Sequence, residues 1–242
     1  MAHDERPLSL VPRSVTVFLL LSLGLQIALH HHQQAVTARP EQMPPPPAIG
    51  IVQGLSLGED VAVAKLIMLW LQNFDNQPGI SIPFAQLDYH KVVAWLTLIL
   101  ALDPKAQYPL LAGSRVYAEV PDEDKQRQIL AFVEREFRRD PNVRWPWMAH
   151  AVYIAKHRIE DIDLALRYAR TLSHLATGSE VPSWARQMVI FVLEDMGELD
   201  SAKILLGGLL NSGQVTDPHE HWFLSHRLAE LEAQLAAKSA RE

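Results

Sequence analysis

Residues 88–104 read DYHKVVAWLTLILALDP. Apolar side chains in this stretch recur at helical rather than strand spacing, which predicts a helix over 88–102 that stops at Asp103-Pro104. The Asp-Pro pair returns at Asp140-Pro141 and Asp217-Pro218. Pro182 falls between those two, and the four prolines lie 37, 41 and 36 residues apart. Aspartate can cap a following helix through its side-chain oxygen, and proline suits a first helical turn, where its missing N–H would have no partner. A period of about 38 residues is the spacing of stacked helical hairpins. Outward from 88–104, no convincing strand alternation follows from about Gly58. Helical spacing instead predicts helices over 61–72, 106–119, 124–138, 147–157, 163–175, 183–196, 200–210 and 218–238. Turns fall at 120–122, 159–161 and 197–199. Pro78-Gly79 marks a break over 73–82.

The residues of 196–210, MGELDSAKILLGGLL, resemble the second half of a tetratricopeptide repeat. In that family a glycine ends the first helix and a small residue sits where two helices touch; Gly197 and Ala202 match. Residues 88–104 are similar to the same half with its terminal Leu-Asp-Pro, and 159–169, IEDIDLALRYA, match with Ala165 as the small residue. The tryptophan, leucine-glycine and tyrosine usual in the first helix are not reproduced, and the interval of 41 is long for the family. The resemblance implies an all-α fold: a right-handed superhelix of about four degenerate tetratricopeptide-like hairpins over 58–217, closed by a capping helix in 218–242. A non-repeating helical domain is the alternative.

Composition narrows the chemistry. Lys+Arg total 22 against Asp+Glu 28 in 242 residues, a net charge of −6, which argues against a general nucleic-acid binder. Without cysteine there is no disulfide framework, zinc-thiolate site or thiol nucleophile. His219, His221 and His226 are spaced two and five apart and diverge around a helix, whereas a zinc-hydrolase helix needs two histidines four apart. Glu160-Asp161 and Glu194-Asp195 are helix neighbours about 100° apart and do not converge on one bond. Gly207-Gly208, inside an apolar helix, suggests the close approach of another helix rather than a phosphate cradle. No catalytic residue, cofactor or metal site is expected, and the chain is not read as an enzyme.

The N-terminal quarter divides into a tail, 1–14, an apolar segment, 15–30, and a proline-rich linker, 31–57. Val15 to Leu29 carries no charge, and as a helix it would be about 22 Å long, short of a hydrocarbon core of about 30 Å. It suits a short single-span anchor or a signal-peptide core; the only small-residue cleavage candidate, Val36-Thr37-Ala38, lies far beyond it. Arg6 and Arg13 before the segment favour a cytoplasmic N-terminus, hence a periplasmic domain at a bacterial inner membrane. Pro40 and Pro44 to Pro47 read as a stiff spacer.

Binding is the use these features suggest best. The resemblance places Trp147, His150 and His157 of one hairpin, and Trp184, Gln187 and Glu194 of the next, on a concave groove, with Arg158 at its rim. Aromatic and arginine anchors with polar neighbours suit capture of a protein or peptide partner. The tryptophans following prolines equally suit packing between repeats. The stretch 74–87 is too apolar for a free loop and either covers the array or meets a partner. A permanent subunit of a membrane complex and a histidine- or carboxylate-dependent helical hydrolase are the other readings.

Overall fold

The computed structural model describes residues 12–32, 40–77, 79–213 and 215–240. It is mostly helical, with eleven α-helices among the described residues and a two-stranded ladder of β1 (Asn76–Gln77) and β2 (Ile80–Ser81) at the one strand-like place. The chain divides into two units. One holds α1 (Arg13–His32). The other begins at Glu41 and contains α2 (Ile49–Ser56), α3 (Asp60–Gln72), α4 (Tyr89–Leu102), α5 (Tyr108–Arg115), α6 (Glu123–Phe137), α7 (Pro141–His157), α8 (Ile162–Leu175), α9 (Ser183–Asp195), α10 (Leu199–Asn211) and α11 (Pro218–Ser239).

The expected apolar segment is helical, and its side chains, among them Phe18, Leu21 and Ile27, are exposed. Yet among the described residues no helix is long and apolar enough to cross a membrane. The physical reason is in the sequence: the helix opens on Arg13 and Ser14 and ends on three histidines, so the uncharged run is shorter than the helix. The outer part of the tail and the cleavage candidate at 36–38 lie outside the described residues.

The linker differs most from expectation. The folded domain starts at Glu41, not near Gly58, and the stretch read as linker contains α2. Met43 is buried, and the Trp95 indole N–H donates to the Pro44 carbonyl at 2.9 Å. Proline lacks a donor but keeps an acceptor, so a proline run can be held by its carbonyls. The stretch 74–87 covers the domain: Ile82 and Leu87 are buried, and Phe84 meets Tyr117 edge-on with centroids 5.7 Å apart.

Side-chain capping explains four of the eleven helix starts among the described residues. Asp88, Asp122, Asp161 and Asp217 each accept backbone N–H groups at the start of α4, α6, α8 and α11. The Asp-Pro pairs act in three ways. Asp217-Pro218 caps and starts α11; Pro141 starts α7 without a side-chain bond from Asp140; Asp103 ends α4, and α5 begins only at Tyr108. α7 begins six residues before the expected 147 and runs through Pro146. That proline sits early in the helix, where it removes a single backbone bond. α5 is shorter than expected and gives way to a 3₁₀ turn, Tyr117–Glu119. Gly197 adopts φ +75°, and the N–H of Glu198 bonds back to the Leu193 carbonyl at 3.0 Å, closing α9 as the sequence predicts.

Packing is local in sequence. From α2 to α11 each helix packs on the next, and α4 with α6, α5 with α7 and α7 with α9 also touch. Side-chain hydrogen bonds between these layers fall at repeated separations: Gln72 with Tyr108 at 36, Arg135 with Thr97 at 38, Arg158 with Glu119 at 39, Trp147 with Gln107 at 40, and Arg227 with Glu194 at 33.

One polar joint lies inside this stack. The Arg144 guanidinium at the start of α7 donates to Glu136 Oε2 at 3.0 Å, to the Glu136 carbonyl at 2.9 Å and to the Pro104 carbonyl at 2.7 Å. Both side chains are buried, so α7 is tied to the end of α6 and to the turn after α4.

Candidate functional site

The six expected binding residues lie on two helices, α7 and α9, that pack against each other. Trp147 is half-buried, and its indole donates to Gln107 Oε1 at 2.8 Å, so it ties α7 to the turn before α5. Trp184 is 51% exposed and stands edge-on to Trp145, centroids 5.4 Å apart. Gln187 is buried and donates to Glu220 of α11. Glu194 is also largely enclosed and accepts the Arg227 guanidinium, with Nε at 2.9 Å. Gln187 and Glu194 Oε2 therefore hold α11 against α9, while Glu194 Oε1 is buried without a hydrogen-bond partner.

His150, Tyr153 and His157 form a continuous ring column along α7. Tyr153 stacks on His150, with centroids 5.7 Å apart and planes 20° apart, and meets His157 at 4.8 Å. Spacings of three and four along a helix put all three on one face. Arg158 at the end of the column donates to Glu119 at 2.9 Å. His150 Nε2 is buried without a hydrogen-bond partner, 3.9 Å from Glu119 Oε1. Burial pulls its pKa below the usual histidine value, the Arg115 charge lowers it further, and Glu119 opposes both. Tyr153 and His157 are exposed. Of the expected site, then, His157 and Trp184 offer free surface, and so does Tyr153, which was not singled out in the sequence. Tyr153 was legible as the residue midway between the two histidines.

Two of the histidines of α11 are engaged locally. The His226 ring nitrogen meets the Trp222 carbonyl at 2.9 Å, and the His221 Nδ1 lies 3.4 Å from the Ser225 hydroxyl. Among the described residues no group of three His, Asp or Glu side chains is placed to hold a metal ion.

Two of the clefts among the described residues bear on the sequence reading. One, of about 820 Å³, lies between α8, α9 and α10 and is lined by His174, Thr177, Arg186, Leu205 and Gly208. A Cβ at Gly207 or Gly208 would meet nothing within 4 Å, so the expected close helix approach at this pair does not occur; Gly208 borders open space instead. The other, of about 440 Å³, lies between α3 and the start of α5, beside Met68, Leu69, Gln107 and Tyr108.

α2 and α3 carry an outward apolar face. Ile51, Leu55, Leu66 and Leu69 are exposed, and Leu57 is 91% exposed at a left-handed φ of +53°, a conformation that costs a branched residue about 1 kcal/mol. α3 is apolar on nearly every side, a pattern of helices that are covered. Comparison with family models, curated proteins and solved structures returns no match.

Proposed function

We propose that the chain is a membrane-attached, tetratricopeptide-like scaffold that holds another cell-envelope protein or a segment of one. The observation that carries this reading is the exposed aromatic surface on successive first helices, Tyr153 and His157 on α7 and Trp184 on α9. The ordering of helix contacts and the polar bonds 33 to 40 residues apart support the repeat architecture. The exposed apolar side chains of α1 support attachment to a bilayer at the inner membrane, with the helical domain on the periplasmic side. A short apolar helix is accommodated in lipid by local thinning and by snorkelling of its flanks. Protease added to spheroplasts then digests the domain; protection of the domain until the membrane is opened reverses the orientation.

The test of the scaffold is recovery of partners from crosslinked membranes with the intact chain and with Tyr153→Ala plus Trp184→Ala. Both side chains are exposed, so the fold is expected to survive. Recovery of the same partners in equal amount rejects the α7–α9 face.

A second reading, a permanent subunit of a membrane complex, is favoured by the outward apolar face of α2 and α3. It predicts that Leu55→Ser plus Leu66→Ser, rather than the aromatic pair, abolishes recovery.

A further inference from the structure

Residues 41–47, EQMPPPP, lie across the domain in a manner that separates them from ordinary linker. Four consecutive prolines fix φ near −65°, and the first of them forces Met43 into the extended region, so the strap is built as polyproline II. Ala48 continues it with φ −62° and ψ 138°. Such a strand has three residues per turn, which puts the carbonyls of residues three apart on one edge. The domain reads that edge. The Gln77 side-chain amide donates to the Glu41 carbonyl at 3.1 Å and accepts from the Glu41 N–H at 2.7 Å. One turn on, the Trp95 indole donates to the Pro44 carbonyl at 2.9 Å. Between the two, Met43 is 4% exposed.

The Trp95 donor belongs to an aromatic cluster. Trp95 packs on Trp70 with centroids 4.7 Å apart, and Trp70 meets Phe74 at 5.3 Å. Trp95 is covered, whereas Trp70 keeps 38% of its surface exposed. Pro44, Pro45 and Pro47 are themselves exposed. The strap is thus held by one buried side chain and by bonds to the backbone of Glu41 and Pro44. None of those bonds depends on the side chain of the residue that makes it.

We propose that Gln77, Trp70 and Trp95 form a binding site for proline-rich segments of the type apolar residue followed by prolines, which this chain fills with its own strap and which such a segment from another protein can occupy in its place. The components are those by which polyproline II is recognised generally: an aromatic platform, an indole donor to a ligand carbonyl, and low ordering entropy in the ligand. The strap competes from a tethered position, at an effective concentration in the millimolar range. A ligand in trans therefore binds the intact chain weakly and binds tightly once the strap is loosened.

The experiment uses the full chain in detergent and a fluorescent synthetic peptide carrying residues 40–50. Binding is measured to the intact chain, to Met43→Ser, and to a variant with glycine at each of Pro44, Pro45, Pro46 and Pro47. The expected result is at least tenfold tighter binding to both strap variants than to the intact chain. Trp95→Phe placed in the same variants, which keeps a ring but removes the indole donor, lowers the gain several-fold. A peptide with glycine for proline fails to bind. The proposal is overturned if folded strap variants bind no tighter than the intact chain, if Trp95→Phe leaves the affinity unchanged, or if the glycine peptide binds equally. Loss of the helical circular-dichroism signal in both strap variants also overturns it, since the strap would then be a fixed part of the core rather than an exchangeable ligand.

Discussion

Replacing Arg144 by Met should cost about 3–5 kcal/mol, the usual range for removing one partner of a buried ion pair. The Glu136 side chain has no exposed surface, and Arg144 is 5% exposed, so solvent cannot replace the lost partner. The substitution also strips the donor from the Pro104 carbonyl, whereas the Glu136 carbonyl keeps the Arg139 N–H at 3.1 Å. The Pro104 carbonyl left without a partner adds about 1–3 kcal/mol unless water reaches it. Two contacts soften the loss: Arg139, more than half exposed, still donates to Glu136 Oε2 at 2.8 Å, and Arg135 Nε stays 3.5 Å from Glu136 Oε1, which places the expected value toward the lower end of the range. The double variant Arg144→Met plus Glu136→Leu removes both charges and fills similar volume, so it should recover most of the loss. Urea unfolding of the full chain in detergent, followed by circular dichroism, gives the midpoint and slope for each variant. A cost below about 1 kcal/mol for the single variant, or no recovery in the double, would refute the reasoning that this joint ties α6 and α7 to the turn after α4.

Three further outcomes follow from local geometry. A Cβ at Gly178 would lie 2.9 Å from Asn142 Cγ, whose Oδ1 accepts the Gly178 N–H at 2.8 Å, so Gly178→Ala should cost about 1 kcal/mol by thermal melting, because the exposed Asn142 side chain swings aside and its hydrogen bond is lost. Glu160 holds φ +58° in the turn between α7 and α8, so Glu160→Gly should raise stability by up to about 1 kcal/mol; a destabilised variant would show that the carboxylate itself matters. His150 has a pKa lowered first by burial, so the unfolded chain binds its proton more tightly than the folded one. Its contribution is complete above the unfolded histidine value of about 6.5 and is lost as pH falls below it. The urea midpoint should therefore drop between pH 7 and 5 in the intact chain and drop less in His150→Gln.

The helices were legible because their apolar spacing is regular and their starts carry aspartate, as at Asp88, Asp161 and Asp217. α2 was not, since IGIVQGLS is short, uncharged and placed behind four prolines, which read locally as extended spacer. Capture of Pro44 by Trp95 joins residues 51 apart, and nothing in either stretch alone announces it. The start of α7 was missed because Trp145-Pro146 looks like a boundary, yet a proline this early removes only one bond. On the candidate site, spacing located α7 and α9 but not direction of engagement. Gln187 and Glu194 share a helix with exposed Trp184, and only the position of Glu220 and Arg227 on α11 shows that they face inward. The Glu136–Arg144 joint left a faint trace, because Glu136 lies on the stripe of α6 that also carries Ile129, Val133 and Phe137.

The central claim, that the α7–α9 face holds a protein partner, is tested most directly by site-specific photocrosslinking in membranes. A benzoylphenylalanine replaces Tyr153, Trp184 or, as a control on α8, the exposed Arg170. The account predicts one discrete adduct of the same mass from positions 153 and 184 and none from 170. Absence of an adduct at both aromatic positions, or an equal adduct at 170, contradicts it.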